Sequence, residues 1–585
     1  FIRLEEFATY GGAQGIWAPY YTLHKIMAGL IDAHVHTGNR RALAVLTGIG
    51  DWVWSRLEPL RQEQLDRMWD IYIAGEYGGV NESLAYLHAL QPDKPEYVDA
   101  AKRFVNNNVY GPTVANEDAL DGRHANQHIP QFTGYLRTYE QGHEEDFLLA
   151  ARNFWDMIVP HRIYSHGGVG VGEMIRERGV VAGSLFHDRN HAETCPLYNM
   201  LKLSRNLFFH DPDPKYMNYY ETGLFNQMVG SRRDSDSSES PEVTYFVPVQ
   251  PGQQRSYGNV GTCCGGTGME NHTKYQDSIY FRSVDDEILY VNLYIASTLE
   301  WPQKSFTITQ ATQYPFEGAT TLTVDGDGPL DIKLRVPEWV RKGYFVSING
   351  VPQEMDANPG TYLTLSRRWT SGDTIEISMP FSFRAEPAID DPTVQSLYYG
   401  PTLMAVQAGP AGEDLESGLL EMGFYRHMKL DGDLHMTELD SGMVGAITPS
   451  DRPMHFSTAG LTLAPFHVSD PVPPGWEPPE PDPDSPFRGR GRRSPPTTPY
   501  HLYFRRHEPS IVFGSQDSGV PNAQGTRGEA FLDSVWAGAP FSEHSSFLST
   551  VERLAAEWEG SGAFSESEAG SIVEAARRAE EEMAL

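Results

Sequence analysis

Tyr21-Thr22-Leu23-His24-Lys25-Ile26-Met27-Ala28-Gly29-Leu30-Ile31-Asp32-Ala33-His34 sets Leu23, Ile26, Met27, Leu30 and Ile31 at the three- and four-residue spacing of one helix face. Thr37-Gly38-Asn39 stops this helix, because glycine takes the left-handed backbone of a helix C-terminus at no steric cost. A second helix, Arg41 to Leu57 with Leu43, Leu46 and Trp52 or Trp54, completes a hairpin. The pattern recurs in Asn81–His88 and Tyr97–Val105, in Ile129–Leu136 and Asp146–Ile158, and in Tyr198–Leu203 and Tyr216–Met228. Hairpins spaced by roughly 50–65 residues stack into a solenoid or close into an α/α toroid, which carries sites at the ends of its inner helices.

After Tyr280 the apolar period changes from helical to two. Ile288–Tyr294, Ser305–Thr309, Thr320–Val324, Ile332–Val336, Phe345–Ile348, Tyr362–Leu365 and Thr374–Met379 alternate as strands, with Asn349-Gly350 as a hairpin turn. Short strands with turns between them predict an antiparallel β-sandwich over about 285–385. Asp470 to Pro499, with eight prolines up to Pro486 and then Arg488, Arg490, Arg492 and Arg493, cannot bury a core and reads as a linker or surface loop. Tyr500 to Leu585 reads as mainly helical, most clearly over Phe547–Trp558 and Glu566–Ala584.

The 585 residues suffice for several domains. With 46 Lys plus Arg against 78 Asp plus Glu, the formal net charge is −32, which opposes nucleic acid and anionic membrane partners and suits a neutral glycan. No run of about 18 apolar residues predicts a membrane span. The chain begins at Phe1 and reads as a fragment or processed form; the compartment stays open.

Three cysteines cannot build a disulfide framework. Cys195 stands in Glu193-Thr194-Cys195, and Cys263-Cys264 stand in a glycine-rich run from Gly261 to Gly268. Three thiolates and one carboxylate form a tetrahedral set suited to Zn²⁺; the plainer alternative is three buried thiols packing as small hydrophobes. Glu193 and Cys195 would point the same way in an extended segment, and the glycines would let adjacent Cys263 and Cys264 face one metal in an irregular turn. A metal-held cysteine can be a structural ligand or a nucleophile. Glu173, in Gly167-Gly168-Val169-Gly170-Val171-Gly172-Glu173, is a candidate acid, and Glu177 a second. Three polar clusters could contact a sugar: Tyr20, Tyr21 and His24; Glu76, Asn81 and Glu82; and His124, Asn126, Gln127 and His128. Glu270, His272, Lys274 and Tyr275 are candidates for supporting the cysteine pair.

These residues fall in motifs that resemble the β-L-arabinofuranosidases of glycoside hydrolase families 127 and 146. The motifs are Trp17–Lys25, Glu76-Tyr77-Gly78-Gly79-Val80-Asn81-Glu82, His124-Ala125-Asn126, Gly172-Glu173, Glu193-Thr194-Cys195, and Cys263-Cys264 through His272-Thr273-Lys274-Tyr275, in the family's order. The run after the cysteine pair is closer to family 146. The resemblance implies an (α/α)6 barrel followed by β-sandwich domains, and Zn²⁺ on Glu193, Cys195, Cys263 and Cys264. It also implies Cys263 as nucleophile, Glu173 as general acid/base, and sugar contacts from His24 and His124; Tyr21 and Glu82 are added as substrate-binding candidates. Expected boundaries are 1–283 for the barrel, 284–400 for the sandwich, 401–469 for a further β region, 470–499 for the linker and 500–585 for a helical C-terminal region.

The expected function is retaining release of L-arabinofuranose from plant-type glycans, on an oligosaccharide or polysaccharide substrate. The alternatives are a glycan-binding protein with a structural zinc, or a glycosidase or lyase acting on another sugar.

Overall fold

The structure is a computed structural model. It describes residues 1–579 apart from 12–14, 186–189, 234–242, 258–261, 272, 392–393, 408–417, 423–424, 430–443, 459, 469–499, 506–509, 515, 523–529, 537–540 and 542. The expected linker over 470–499 and His272 lie outside the described residues. The chain divides into two compact units, one of Phe1–Ile163, Gly168–Val180 and Cys195–Pro212, the other of Tyr164–Gly167, Val181–Thr194 and Asp213–Leu585.

The first unit is helical: α1 (Ile2–Glu5), α2 (Pro19–Thr37), α3 (Arg40–Leu57), α4 (Gln62–Trp69), α5 (Val80–Leu90), α6 (Glu96–Lys102), α7 (Asn107–Val114), α8 (Ala125–Gly142), α9 (Glu145–Arg162) and α10 (Thr194–Phe208). Helices α2, α5 and α8 lie side by side, each backed by its hairpin partner α3, α6 or α9. Burial follows this layering. Helix α8 is buried along its whole length to Leu136, whereas α3 buries only the stripe Ala42, Leu46, Gly50, Val53 and Leu57. Gly38, at φ 67°, ends α2 as expected, and Asn39 caps α3 by accepting from the Arg41 and Ala42 N–H groups. Tyr20, Trp69, Tyr77 and Phe104 meet in the core beneath.

Helix α2 turns its expected face to the core at Leu23, Met27, Leu30 and Ile31, but not at Ile26. Its buried residues are Tyr20, Tyr21, His24, Met27 and Ile31, whereas Ile26 is 51% exposed. An inner helix is also buried by its neighbours on the side that carries polar functional groups, so apolarity alone misses part of the buried face. The inner helices approach closely through Gly134, where an added Cβ would lie 2.0 Å from Asn81 Oδ1; Asn81 Nδ2 donates to the Gln131 carbonyl at 3.0 Å.

In the second unit α11 (Pro214–Thr222) continues into a π-helical turn, Gly223–Met228, and α12 spans Cys263–Asn271. Ten strands follow: β1 (Tyr280–Arg282), β2 (Ile288–Val291), β3 (Ser297–Trp301), β4 (Phe306–Thr312), β5 (Ala319–Asp325), β6 (Gly328–Val336), β7 (Phe345–Ile348), β8 (Val351–Pro352), β9 (Thr361–Trp369) and β10 (Asp373–Ser378). They form sheets of order β1-β2-β6-β9 and β3-β4-β5-β10-β7-β8. Alternate residues such as Phe306, Ile308, Leu322, Val324, Ile332 and Leu334 share the core. The pairing is antiparallel except for β2 with β6, which is parallel because three strands of the other sheet intervene between them. Asn349 (φ 53°) and Gly350 (φ 76°) make the expected hairpin turn between β7 and β8.

A third sheet takes strands from Phe383–Pro387 to Leu461–Pro465 and, beyond the undescribed stretch, Tyr500–His501 and Phe504–Arg505. The C-terminal region begins with a hairpin, Ser510–Phe513 with Gln516–Pro521. It shares a core with the helices Phe531–Trp536, His544–Gly560 and Glu566–Arg578. Helices, then sandwich sheets, then a helical tail is the order of classes expected. Among the described residues no helix is long and apolar enough to cross a membrane.

Candidate active site

In the first unit members of all three polar clusters named from the sequence converge, whereas Tyr20 lies in the aromatic core. His124 is the N-cap of α8, and its Nδ1 accepts the Gln127 N–H at 3.3 Å. That bond places the ring proton on Nε2. Nε2 lies 3.5 Å from Glu173 Oε2 and 3.7 Å from Glu76 Oε1, and all three side chains are buried. Tyr72, half exposed, sets its ring centroid 6.4 Å from that of His124.

Glu173 is held by backbone geometry. Val171 and Met174 exchange both of their N–H···O bonds, at 2.9 and 3.1 Å, around Gly172 (φ 55°) and Glu173 (φ 70°). This is a two-residue turn with both central residues left-handed, and a non-glycine there stores about 1 kcal/mol or more of strain. The Glu173 carbonyl accepts from the Ala125 N–H at 2.8 Å, pinning the turn to the start of α8. Glu177, the second candidate acid, is exposed.

His24 sits beside the glycine pair Gly78-Gly79. The Gly79 N–H donates to His24 Nδ1 at 3.3 Å, and a Cβ on Gly79 would lie 2.9 Å from His24 Nε2. Burial first, then the charges of Lys25 and Lys202, hold its imidazole well below the usual histidine range, so it is neutral at pH 7. Glu82 accepts from Lys202 Nζ at 2.7 Å. Tyr21 Oη accepts from Asn126 Nδ2 at 3.0 Å; Asn199 Nδ2 donates to Asn126 Oδ1 and to the Cys195 carbonyl, each at 3.1 Å. The sugar-contact candidates are thus tied to the backbone of a cysteine.

The four sulfur and carboxylate candidates gather as well. Glu193, Cys195, Cys263 and Cys264 place one ligand atom each within 4.8 Å of one another. A tetrahedral Zn²⁺ with bonds of about 2.3 Å to sulfur separates its sulfurs by about 3.8 Å. The Cys263 and Cys264 sulfurs are 4.0 Å apart, too far for a disulfide, and Cys264 Sγ is 3.2 Å from Glu193 Oε1. The donor set and its spacing fit the ion. Local structure differs from the expected irregular turn. Cys263 and Cys264 open helix α12, capped by Thr262 Oγ1, which accepts the Gly265 N–H at 3.1 Å. In a first helical turn both side chains lean toward the N-terminus, so neighbours can bracket one ion. Gly268 serves packing instead of turning: a Cβ on it would lie 2.7 Å from the Val243 side chain. Glu193 is extended and bridged to Phe246, whereas Cys195 already lies in α10.

Tyr245, whose hydroxyl is 3.9 Å from Cys263 Sγ, was not legible in the sequence. Its own neighbours give no signal, because Tyr245 and Thr194 meet only through the chain's long-range pairing. Glu76 was legible only as one of a polar cluster; its signal was a carboxylate between Gly75 and Gly78-Gly79. Glu270 is exposed, with Lys274 at 4.0 Å.

The GH127 catalytic-domain model of the β-L-arabinofuranosidases matches residues 4–277, and the GH127 middle-domain model matches residues 288–381, together more than half of the chain. The chain belongs to family GH127. Among relatives of this GH127 protein is a non-reducing end β-L-arabinofuranosidase from Bifidobacterium longum subsp. longum, 24% identical over 420 residues. That match covers 62% of this chain and 62% of the relative, so the chain spans less than two thirds of the curated protein it matches. A solved GH127 β-arabinofuranosidase superposes with a TM-score of 0.63 at 20% identity, covering 83% of this chain and 76% of that one. A second structure, a glycoside hydrolase, gives 0.59 at 16% identity with 87% of each chain covered. At these identities the likeness establishes a shared fold.

Proposed function

We propose that this protein is a retaining glycosidase that removes terminal L-arabinofuranose from β-L-arabinofuranosides of plant-type glycans. GH127 membership and the activity for which the Bifidobacterium relative is named support the substrate. The observation that carries the roles is a difference in exposure: Cys195 and Cys264 are buried, and Cys263, at the start of α12, is only partly so. Of the three thiols, Cys263 is the one with surface to offer a substrate.

Glu193, Cys195, Cys263 and Cys264 would hold Zn²⁺, whose charge keeps thiols deprotonated. The helix N-terminus beneath Cys263 favours its thiolate further. In this reading Cys263 Sγ attacks the anomeric carbon as Glu173 gives its proton to the leaving oxygen. Glu173 then takes a proton from the water that displaces the sulfur. Two inversions return the original anomeric configuration. Tyr21, His24, Glu82 and His124 are assigned to the sugar, with neutral His24 able to donate from Nε2.

The test uses a 4-nitrophenyl β-L-arabinofuranoside. Wild type is expected to release nitrophenol and to carry about one zinc per chain by elemental analysis, with chelation abolishing turnover. Cys263→Ala is expected to lose at least about 10³-fold in kcat; near-normal turnover in that variant would falsify the mechanism. Zinc and sugar affinity without turnover would instead mark a glycan-binding protein, and an unsaturated, ultraviolet-absorbing product a lyase.

A further inference from the structure

The two buried carboxylates on either side of His124 carry an inference that rests on the acid/base role proposed for Glu173 and deepens it. A general acid that later serves as base must be held in one place in both protonation states. His124 has a single ring proton to offer, because Nδ1 is committed as acceptor to the Gln127 N–H at the head of α8. That proton, on Nε2, faces Glu173 Oε2 at 3.5 Å and Glu76 Oε1 at 3.7 Å, two nearly equal acceptors.

We propose that Glu76 is a positioning residue for the acid/base cycle, the alternate acceptor that takes the His124 Nε2–H whenever Glu173 is protonated. With Glu173 as a carboxylic acid, its own proton is aimed at the leaving oxygen and the imidazole N–H rests on Glu76. Once that proton has gone to the leaving group, the N–H turns to the new Glu173 carboxylate and steadies it until water returns a proton. The His124 proton is never transferred, so the balance of the reaction is unchanged: one proton out to the leaving oxygen, one back from water.

Glu76 is built for such a fixed role. Its carbonyl accepts the Tyr21 N–H at 3.1 Å, and its own N–H donates to the Ile73 carbonyl at 3.0 Å. At the preceding Gly75 an added Cβ would lie 2.2 Å from the Met68 carbonyl oxygen, so the loop can pass only without a side chain there. Ile73 at φ 59° and Gly78 at φ 55° bracket the segment in left-handed backbone. The nearby guanidinium of Arg123 is turned to Asp70, at 3.0 Å. Burial first, then the charges of Glu173 and Glu76, push the Tyr72 phenol above its usual range.

The experiment is a leaving-group series on the full chain: 2,4-dinitrophenyl, 4-nitrophenyl and methyl β-L-arabinofuranosides with wild type, Glu173→Gln, Glu76→Leu and Glu76→Gln, each checked for a native melting transition. A good leaving group needs no proton, so loss of acid catalysis shows only on the poor ones. Read as kcat/KM, which reports the step in which the leaving group departs, Glu173→Gln is expected to lose about 10²-fold or more on the methyl glycoside and little on the dinitrophenyl one, and the same measure is used for the Glu76 variants. Glu76→Leu is expected to reproduce that pattern with about tenfold loss on the methyl glycoside and under about threefold on the dinitrophenyl one. Glu76→Gln, which keeps an oxygen acceptor, is expected to restore most of the activity. If Glu173→Gln discriminates among leaving groups but Glu76→Leu slows all three equally, or none, Glu76 is structural or sugar-binding and the inference is overturned while the acid/base reading stands. If Glu173→Gln itself shows no discrimination, the acid/base reading falls and the inference with it.

Discussion

At the scale of single residues, His24, His128 and His166 are buried in their neutral form. Burial holds His128 at about 4, against the opposing pull of its bond to the His124 carbonyl, and holds His166 at about 3. Between those values and the unfolded value near 6.5 the unfolded chain binds protons that the folded chain does not. Their contribution to stability is therefore complete above pH 6.5 and is lost as pH falls, by about 2 kcal/mol per histidine at pH 5. Melting temperatures between pH 7.5 and pH 5 should fall accordingly, and His128→Gln should flatten that fall; an unchanged slope would remove His128 from the account. The chemical identity of nearly every candidate was legible at this scale, since cysteines, histidines and carboxylates announce themselves. Which carboxylate mattered was not. Glu173 and Glu177 are four residues apart, and only the turn that buries one and leaves the other exposed separates them.

At the scale of elements, the site depends on how closely inner helices approach. Gly134 on α8 faces Asn81 on α5 with no room for a methyl group, and Asn81 is part of the polar layer beneath the site. Gly134→Ala is expected to push the helices apart and destabilise by about 3 kcal/mol despite its better helix propensity. The check is a denaturant titration, in which a stabilised variant would refute the close-packing argument. Helix existence was readable from period and from stops such as Gly38, but α4 and α7 were not. Helix α4 is short, and α7 carries Pro112 inside it. The strand pattern survived well because a period of two leaves only two possible faces, whereas a helix such as α2 offers a continuous choice, and counting apolar residues took in Ile26 and left out His24.

At the scale of the molecule, the helical end of the second unit is fastened to its β-sandwich by a buried ion pair. Glu221 of α11 accepts from Arg335 of β6 at 2.5 Å, from Tyr314 Oη at 2.7 Å and from Trp339 Nε1 at 2.9 Å, and Arg335 also donates to Asn218 Oδ1 at 2.6 Å. Removing one partner leaves the other charged and buried. Glu221→Leu should therefore cost about 3–5 kcal/mol and lower the melting temperature of the whole second unit. A loss under about 1 kcal/mol would show that the network adapts. None of these four partners hints at the others in sequence. By itself the sequence determined the order of helical and sheet regions, through hydrophobic period, and the list of chemically capable residues, through motif. Tertiary structure decided that Glu76 shares His124 with Glu173, that Cys263 alone of the three thiols is partly open, and that Tyr245 reaches its sulfur. Those facts depend on distance and burial between residues far apart in the chain, and a local period carries no information about either.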